Sequence, residues 1–214
     1  MIYLMSDLHG ETGLFVRMLQ KINFSGNDTL YVLGDVIDRC PGGITLLQWI
    51  MAAPNMILLK GNHEAMLLDA YATDGSHGAL RRWFACGGDV TYHRMQQLPP
   101  DERESILHYL THLPEELELC VNGRTFHLVH GRPSKESLQR LWHRPWSGER
   151  LFHDKTTIVG HTPTVHFGAI TDKGQQRIFF DHSFIAIDCG CGKYSDPSKR
   201  LGCLRLDDLK TFYV

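Results

Sequence analysis

The sequence lacks the features that mark membrane, secreted and fibrous proteins. It has no run of about eighteen apolar residues that could cross a bilayer as a helix. The apolar stretch at residues 1–5 is shorter than the core of a secretion signal. Low-complexity tracts, fixed-period repeats and linker-like segments are also missing. We therefore expect one soluble, cytoplasmic domain spanning residues 1–214.

The chain also has no excess of one charge. Its 22 Lys and Arg residues stand against 24 Asp and Glu residues, a formal net charge of -2. Strong sequence-independent binding to nucleic acid needs a surplus of basic side chains. We expect neither nucleic acid nor a membrane as a partner, and the sequence leaves the oligomeric state open.

Motifs for covalent or nucleotide-binding chemistry are missing too. Residues 190–193 contain two glycines and a lysine but not the spacing of a phosphate-binding loop. No serine or cysteine stands in a nucleophile elbow. Cys189, Cys191 and Cys203 could bind a soft metal, but the first two are closer in sequence than the paired ligands of zinc knuckles. Buried free thiols are the favoured interpretation of the cysteines.

The first part of the chain has the pattern of a parallel sheet. Apolar runs at residues 2–5, 29–33 and 56–59 break abruptly into polar sequence, and helical periodicity lies between them. This order predicts parallel strands joined by right-handed crossovers. In such sheets functional residues collect beyond the carboxyl ends of the strands.

The remainder predicts helices and then a second sheet. Residues 63–113 are expected to form a mostly helical cap. A hairpin is predicted around the turn pair Asn122-Gly123. The further strands are predicted at residues 157–159, 167–170, 178–180, 185–188 and 203–206. We therefore predict an α/β fold in which two mixed sheets pack face to face with helices outside.

Five short polar clusters each follow a predicted strand. A single histidine or aspartate in such a place is usually a turn or cap residue, but five clusters at one edge are hard to explain in that way. They are Asp7-Leu8-His9, Gly34-Asp35-Val36-Ile37-Asp38-Arg39, Gly61-Asn62-His63-Glu64, His130-Gly131 and Gly160-His161-Thr162-Pro163.

These clusters predict a site for two divalent cations. Asp7 and His9 are one residue apart, so in an extended segment both side chains can bind one ion. Asp35 has two oxygens and could bridge to a second ion about 3.5–4 Å away. The second ion would be completed by Asn62, His130 and His161. Ligands without thiolates favour manganese, with iron or zinc as alternatives.

A second set of residues predicts phosphate chemistry. Two adjacent dications would generate hydroxide from a bridging water and neutralise phosphate oxygens. His63 would protonate the departing alkoxide, and Asp38 would fix its tautomer. Arg39 would bind phosphate oxygens through its forked guanidinium. Arg144 is a second candidate for phosphate binding.

In these motifs the chain resembles the calcineurin-like metallophosphoesterases, and within them the bacterial and phage serine/threonine phosphoprotein phosphatases. The resemblance covers nearly the whole chain and includes a carboxy-terminal match at residues 187–190. It implies a four-layer α/β/β/α sandwich, two metals (often manganese) and direct attack by water without a phosphoenzyme. The chain departs from the family pattern at three positions, where Cys40, Gly131 and Cys189 replace the usual glycine, alanine and threonine. These departures leave the predicted ligands in place, and we expect them to affect substrate preference.

The resulting hypothesis is a phosphatase acting on phosphoserine and phosphothreonine in proteins or peptides, and also on phosphotyrosine. The alternatives are a symmetrical diadenosine tetraphosphate hydrolase, which shares these motifs, and a small-molecule phosphoesterase. A binding protein that keeps the fold without catalysis is disfavoured because His63 and all six candidate ligands are present.

Overall fold

A computed structural model of the chain describes residues 1–72, 77–192 and 195–214. Strands alternate with helices at first, and four helices then follow one another. These elements are β1 (Ile2–Met5), α1 (Thr12–Lys21), β2 (Thr29–Val32), α2 (Gly43–Ala52), β3 (Met56–Leu58), α3 (Asn62–Ala72), α4 (His77–Ala85), α5 (Asp89–Gln97) and α6 (Pro100–Thr111).

Short strands dominate the rest of the chain. A 3-10 helix at Thr164–Phe167 lies among them. The other elements are β4 (Glu116–Val121), β5 (Arg124–Val129), α7 (Ser137–Trp142), β6 (Thr156–Val159), β7 (Phe179–Phe180), β8 (Phe184–Ala186), β9 (Gly202–Arg205) and β10 (Thr211–Tyr213).

The strands form two sheets, each with parallel and antiparallel pairs. The first has the order β10-β9-β1-β2-β3, in which β1, β2 and β3 are parallel. The second has the order β4-β5-β6-β8-β7, in which β5, β6 and β8 are parallel. This arrangement confirms the predicted fold of two mixed sheets flanked by helices.

Side-chain alternation explains how the sheets pack. In β1, Leu4 belongs to the apolar cluster that both sheets share, whereas Tyr3 and Met5 join the cluster that contains the helices. In β5, Phe126 and Leu128 face the first sheet from the second. Because neighbouring residues of a strand point to opposite faces, each sheet contributes to two apolar layers. Each large side chain buried in this way contributes about 1.5–3 kcal/mol.

The predicted helical segment is present as α3 to α6. Residues 73–76 of the predicted range lie outside the described part of the chain. Trp83, Met95 and Leu110 anchor these helices, since each is fully buried in the apolar cluster that also contains α1 and α2 side chains. Across the described ranges, no helix combines the length and apolar character needed to span a bilayer.

One strand prediction was wrong and two elements were missed. Residues 167–170 do not form a strand: the 3-10 helix ends at Phe167, and Ile170 makes only an isolated bridge to Gln176. Pro163 has the fixed φ that suits a helix start, and Gly168 ends the turn with a φ of 69°. The short helix α7 and the edge strand β10 were not predicted.

Four of the six cysteines are buried, as expected from the sequence. The buried ones are Cys40, Cys189, Cys191 and Cys203, whereas Cys86 is half-buried and Cys120 is exposed. Burial raises the pKa of the Cys189 thiol to about 12, with the Asp188 carboxylate adding to the effect. These cysteines therefore act as small apolar side chains of the core.

Candidate active site

The parallel strands of both sheets end at a common edge, and the predicted ligands follow those ends. Asp7 and His9 follow β1, whereas Asp35 and Asn62 follow β2 and β3. His130 and His161 follow β5 and β6 of the second sheet. The loops therefore converge from two sheets, which brings together all six side chains predicted to bind metal.

Backbone carbonyls orient two of the histidines. Nδ1 of His9 lies 2.9 Å from the carbonyl oxygen of Ile37, and Nδ1 of His130 lies 2.6 Å from that of Leu33. A carbonyl can only accept, so each Nδ1 is protonated and donates, which leaves Nε2 of each ring facing the site. Nε2 of His130 faces Oδ1 of Asn62 at 2.9 Å. Both rings are thus oriented so that Nε2 is the nitrogen available to a metal.

Asp35 lies at the centre of the cluster. Its Oδ2 is 3.7 Å from Nε2 of His9 and 3.4 Å from Nε2 of His130. Its Oδ1 accepts the backbone N–H of His63 at 3.0 Å. A single carboxylate oxygen therefore faces ligands predicted for both ions, whereas the sequence-based prediction used both oxygens of Asp35.

Asp7 and His161 are tied to each other. Oδ2 of Asp7 accepts the backbone N–H of His161 at 2.9 Å and a hydrogen bond from the Ser6 hydroxyl. Nε2 of His161 is 3.1 Å from the carbonyl oxygen of Trp142, which leaves Nδ1 as its other ring nitrogen. These contacts join the loop after β1 to the loop after β6.

The donor set fits divalent cations. Two groups of described side chains could each hold an ion, His9 with Asp35 and His63, and Asp35 with His130 and His161. Nε2 of His9 is buried and has no hydrogen-bond partner within the described structure. Such an orphaned nitrogen among carboxylates is the environment of a metal ligand.

The electrostatics of the cluster favour a positive charge there. Burial opposes protonation of His130, but the carboxylates of Asp35 and Asp7 raise its pKa to about 10. Burial lowers the pKa of His161 to about 3, with the charge of His130 adding to the effect. Burial, reinforced by His63, also holds the pKa of His9 well below its usual value. His9 and His161 are therefore neutral and suited to metal binding, whereas His130 carries the positive charge that the carboxylates attract.

His63 and Asp38 form a buried pair at the edge of the cluster. Nδ1 of His63 donates to Oδ2 of Asp38 over 2.6 Å. Burial opposes a charged ring, but the carboxylates of Asp35 and Asp38 outweigh it and raise the pKa of His63. Its Nε2 lies 3.1 Å from a guanidinium nitrogen of Arg39, which can only donate. His63 therefore contacts Asp38, the predicted partner, and also Arg39, for which the sequence predicted phosphate binding instead.

Arg144 lies further out. It is exposed and lines an open cavity of about 560 Å³ with Arg132, Trp142, His143 and Trp146. Arg132 is held by the buried carboxylate of Glu149, whereas Arg144 faces solvent. The structure thus places Arg144 beside the approach to His161 rather than inside the metal cluster.

Three residues that the sequence did not reveal hold the site in place. Glu64 is fully buried and accepts backbone N–H groups from Gly61, Asp35 and Val36 at 2.8–2.9 Å. Trp83 donates its indole N–H to Oδ2 of Asp38, and the Thr91 hydroxyl accepts the Asp38 backbone N–H. Glu64 belongs to a recognised cluster and could have been found there. Trp83 and Thr91 carry no local signal.

The loops of the site adopt a conformation that side chains usually avoid. Positive φ angles between 43° and 71° occur at six site residues. They are Asp7, His9, Asp35, Asp38, Arg39 and His161. Non-glycine residues in this region are uncommon and carry strain of about 1–3 kcal/mol each. Close packing makes glycine necessary at Gly61, where a Cβ would lie 2.2 Å from Oδ1 of Asp35.

A fold with two mixed sheets and a buried cluster of histidines and carboxylates at their common edge is that of a metallophosphoesterase. The sequence matches the profile of the calcineurin-like phosphoesterases over residues 1–187, and the chain belongs to this family. A protein serine/threonine phosphatase from Saccharomyces cerevisiae has the same fold, with a TM-score of 0.61 at 14% identity over 100% of this chain and 78% of that one.

Sequence relatives divide between two activities. The chain is 32% identical over 130 residues to serine/threonine-protein phosphatase 2 of Escherichia coli (strain K12), covering 60% of this chain and 57% of that protein. It is 35% identical over 132 residues to a symmetrical bis(5'-nucleosyl)-tetraphosphatase of Delftia acidovorans, covering 61% and 41%. The alignments thus span about half the length of these relatives.

Proposed function

We propose that this metallophosphoesterase hydrolyses phosphomonoesters, above all phosphoserine and phosphothreonine in proteins or peptides, with phosphotyrosine as a further substrate. The contact between His63 and Asp38 at 2.6 Å, beside the metal cluster, is the observation that carries the proposal. An alkoxide leaving group is a strong base and needs a proton, so a positioned acid accelerates its departure. A phosphate leaving group of an anhydride needs this help far less.

The metal cluster supplies the other half of the chemistry. One cation would be held by Asp7, His9 and Asp35. The second would be held by Asn62, His130 and His161 together with the shared Asp35. Two bound divalent cations polarise phosphate oxygens and activate water at neutral pH. Manganese is the proposed metal, with iron and zinc as alternatives, because the donors are carboxylate, amide and imidazole.

His63 would act as the general acid from Nε2. Asp38 accepts from Nδ1, which fixes the tautomer and keeps Nε2 directed into the site. In this structure Nε2 faces Arg39 instead of a leaving group. We infer that a bound phosphate draws the Arg39 guanidinium into a bidentate pair and frees Nε2 to hold a proton.

The open cavity beside His161 suits a substrate larger than a free ester. Arg144 and His143 offer positive charge or hydrogen-bond donors, and Trp142 and Trp146 offer apolar surface. We propose that the phosphopeptide chain lies here, with Arg144 as a second phosphate-binding residue. The proposed partner is therefore a phosphorylated protein.

Steady-state kinetics on matched substrates test this proposal. Purified protein loaded with Mn²⁺ is assayed on phosphoserine and phosphothreonine peptides and on an aryl phosphate. We expect a higher kcat/KM on the peptides. If the aryl phosphate were hydrolysed as well as the best peptide, the assignment of a protein substrate would be wrong.

The second candidate is a symmetrical dinucleoside tetraphosphatase, which the 35% identity to the Delftia acidovorans enzyme favours. Incubation with diadenosine tetraphosphate, followed by chromatography of the products, separates the two. Formation of ADP with a kcat/KM above that for phosphopeptides would replace the proposed substrate class. The same screen reports activity on other small phosphoesters.

A further inference from the structure

The carboxylate of Asp38 has more than one partner, and the second one comes from the helical segment. Its side chain is fully buried, and Oδ2 accepts both Nδ1–H of His63 at 2.6 Å and the indole N–H of Trp83 at 2.7 Å. Oδ1 has no hydrogen-bond partner among the described residues. Trp83 therefore supplies one of the two donors that stabilise this buried charge.

We propose that Trp83 is a positioning residue that holds Asp38, and through it the His63 ring, in the orientation that protonates the leaving group. This proposal rests on the acid role of His63 in the proposed function. A buried carboxylate with one side-chain donor could turn and offer its other oxygen to His63. The Trp83 N–H distinguishes the two oxygens, because it points at Oδ2 alone.

The position of the indole is itself fixed. Trp83 has no exposed surface and packs edge-on against Tyr92 at 6.4 Å between ring centroids. The turn after α4 closes over it, since the backbone N–H of Gly88 donates to the Trp83 carbonyl at 3.1 Å. A Cβ at Gly88 would lie 2.2 Å from the indole nitrogen, so only glycine leaves room for this ring.

The same turn reaches the proposed phosphate-binding residue. The carbonyl oxygen of Gly87 accepts the backbone N–H of Arg39 at 2.9 Å. Arg39 has a φ of 66° and Asp38 a φ of 71°, and both need such outside support to persist. The segment from Trp83 to Gly88 thus braces Asp38 and Arg39 together, which links the helical segment to the leaving-group side of the site.

The substitution Trp83→Phe tests the role, because it keeps an aromatic ring and removes the N–H. We expect kcat on a phosphoserine peptide to fall about 10- to 100-fold with little change in KM, since the acid would be misplaced. Hydrolysis of 2,4-dinitrophenyl phosphate, whose leaving group needs no proton, should fall by less than about threefold. Trp49→Phe, at a half-exposed tryptophan on α2, should change neither rate.

A purely structural role predicts different results. Equal losses on the two substrates, or no loss on either, would overturn the proposal. In a double-mutant cycle, Trp83→Phe should have no further effect once His63→Asn has removed the acid. An additional large loss in that background would also overturn it.

Two further variants, Gly88→Ala and His63→Asn, separate a failure of the Trp83 proposal from a failure to fold and from a failure of the proposed acid role. If Trp83→Phe fails to fold by circular dichroism, Gly88→Ala takes its place, because it displaces the indole and should give the same dependence on the leaving group. If His63→Asn itself shows no such dependence, the acid role in the proposed function is wrong. If His63→Asn shows it and neither Trp83→Phe nor Gly88→Ala does, only the role of Trp83 is wrong.

Discussion

The two halves of the site are held in place by different parts of the molecule. The side chains predicted to bind metal lie in loops of both sheets, and backbone carbonyls of Ile37 and Leu33 orient His9 and His130. The pair formed by His63, the proposed acid, and Asp38 is held instead by two side chains of the helical segment, Trp83 and Thr91. Metal binding and leaving-group protonation should therefore respond to different substitutions.

The largest effect is expected when the shared carboxylate is changed. Asp35→Asn removes the charge that faces His9, His63 and His130 within 3.8 Å. A bound metal stabilises the transition state by several kcal/mol, so turnover should fall at least about 10⁴-fold. Metal content measured by mass spectrometry should fall as well. A variant that keeps both metals would show that Asp35 is not the shared ligand.

His63→Asn should separate the two halves. We expect phosphopeptide turnover to fall about 10²–10⁴-fold, the range for a positioned acid. Metal content should stay at the wild-type level, because Nδ1 of His63 is bonded to Asp38 and Nε2 faces the guanidinium of Arg39. One of the two candidate metal groups does contain His63. Loss of a metal from the variant would therefore assign His63 as a ligand instead.

Removing the Glu64 carboxylate should weaken metal binding, because this side chain holds the loops that carry predicted metal ligands. Glu64→Ala leaves the backbone N–H groups of Gly61, Asp35 and Val36 without their acceptor. We expect a loss of about 3 kcal/mol in the free energy of unfolding, a fall in Tm of about 6–12 °C and metal affinity about 10- to 100-fold weaker. Thermal unfolding and metal titration measure these effects.

An exposed glutamate gives the matched control for that measurement. Glu104→Ala, on the solvent side of α6, should change Tm by less than about 2 °C. An equally small change for Glu64→Ala would show that its three hydrogen bonds do not hold the loops.

The smallest effect is expected at the exposed edge of the site. Arg144→Ala should raise KM for phosphopeptides about three- to tenfold with kcat nearly unchanged, because a solvated arginine contributes about 1 kcal/mol. Arg150→Ala, at another exposed arginine, is the control. A fall in kcat as large as that of His63→Asn would place Arg144 among the groups that act in the transition state.

Much of the site could be predicted because its residues follow strand ends. Asp7, Asp35 and His130 each stand just beyond an apolar run, and parallel strands bring their ends to one edge. The strand boundaries of β1, β2 and β3 differ from the prediction by one residue at most. Periodicity and motif order carry this information directly.

The supports of the acid pair could not be predicted because they depend on packing between distant segments. Trp83 is 45 residues from Asp38 in the chain, and Thr91 is 53 residues away. No local pattern marks a tryptophan whose N–H meets a carboxylate. The wrong strand at residues 167–170 has a local cause instead, since Pro163 and Gly168 favour the short 3-10 helix that forms there.

The decisive measurement concerns two variants, Asp35→Asn and His63→Asn. Metal content and turnover of a phosphoserine peptide are measured on the same samples, to test whether metal binding and leaving-group protonation depend on different residues. We predict that Asp35→Asn loses metal and turnover together, whereas His63→Asn keeps two divalent cations per chain and loses turnover alone. Parallel loss of metal and turnover in His63→Asn, or retention of both metals in Asp35→Asn, would contradict this separation of roles.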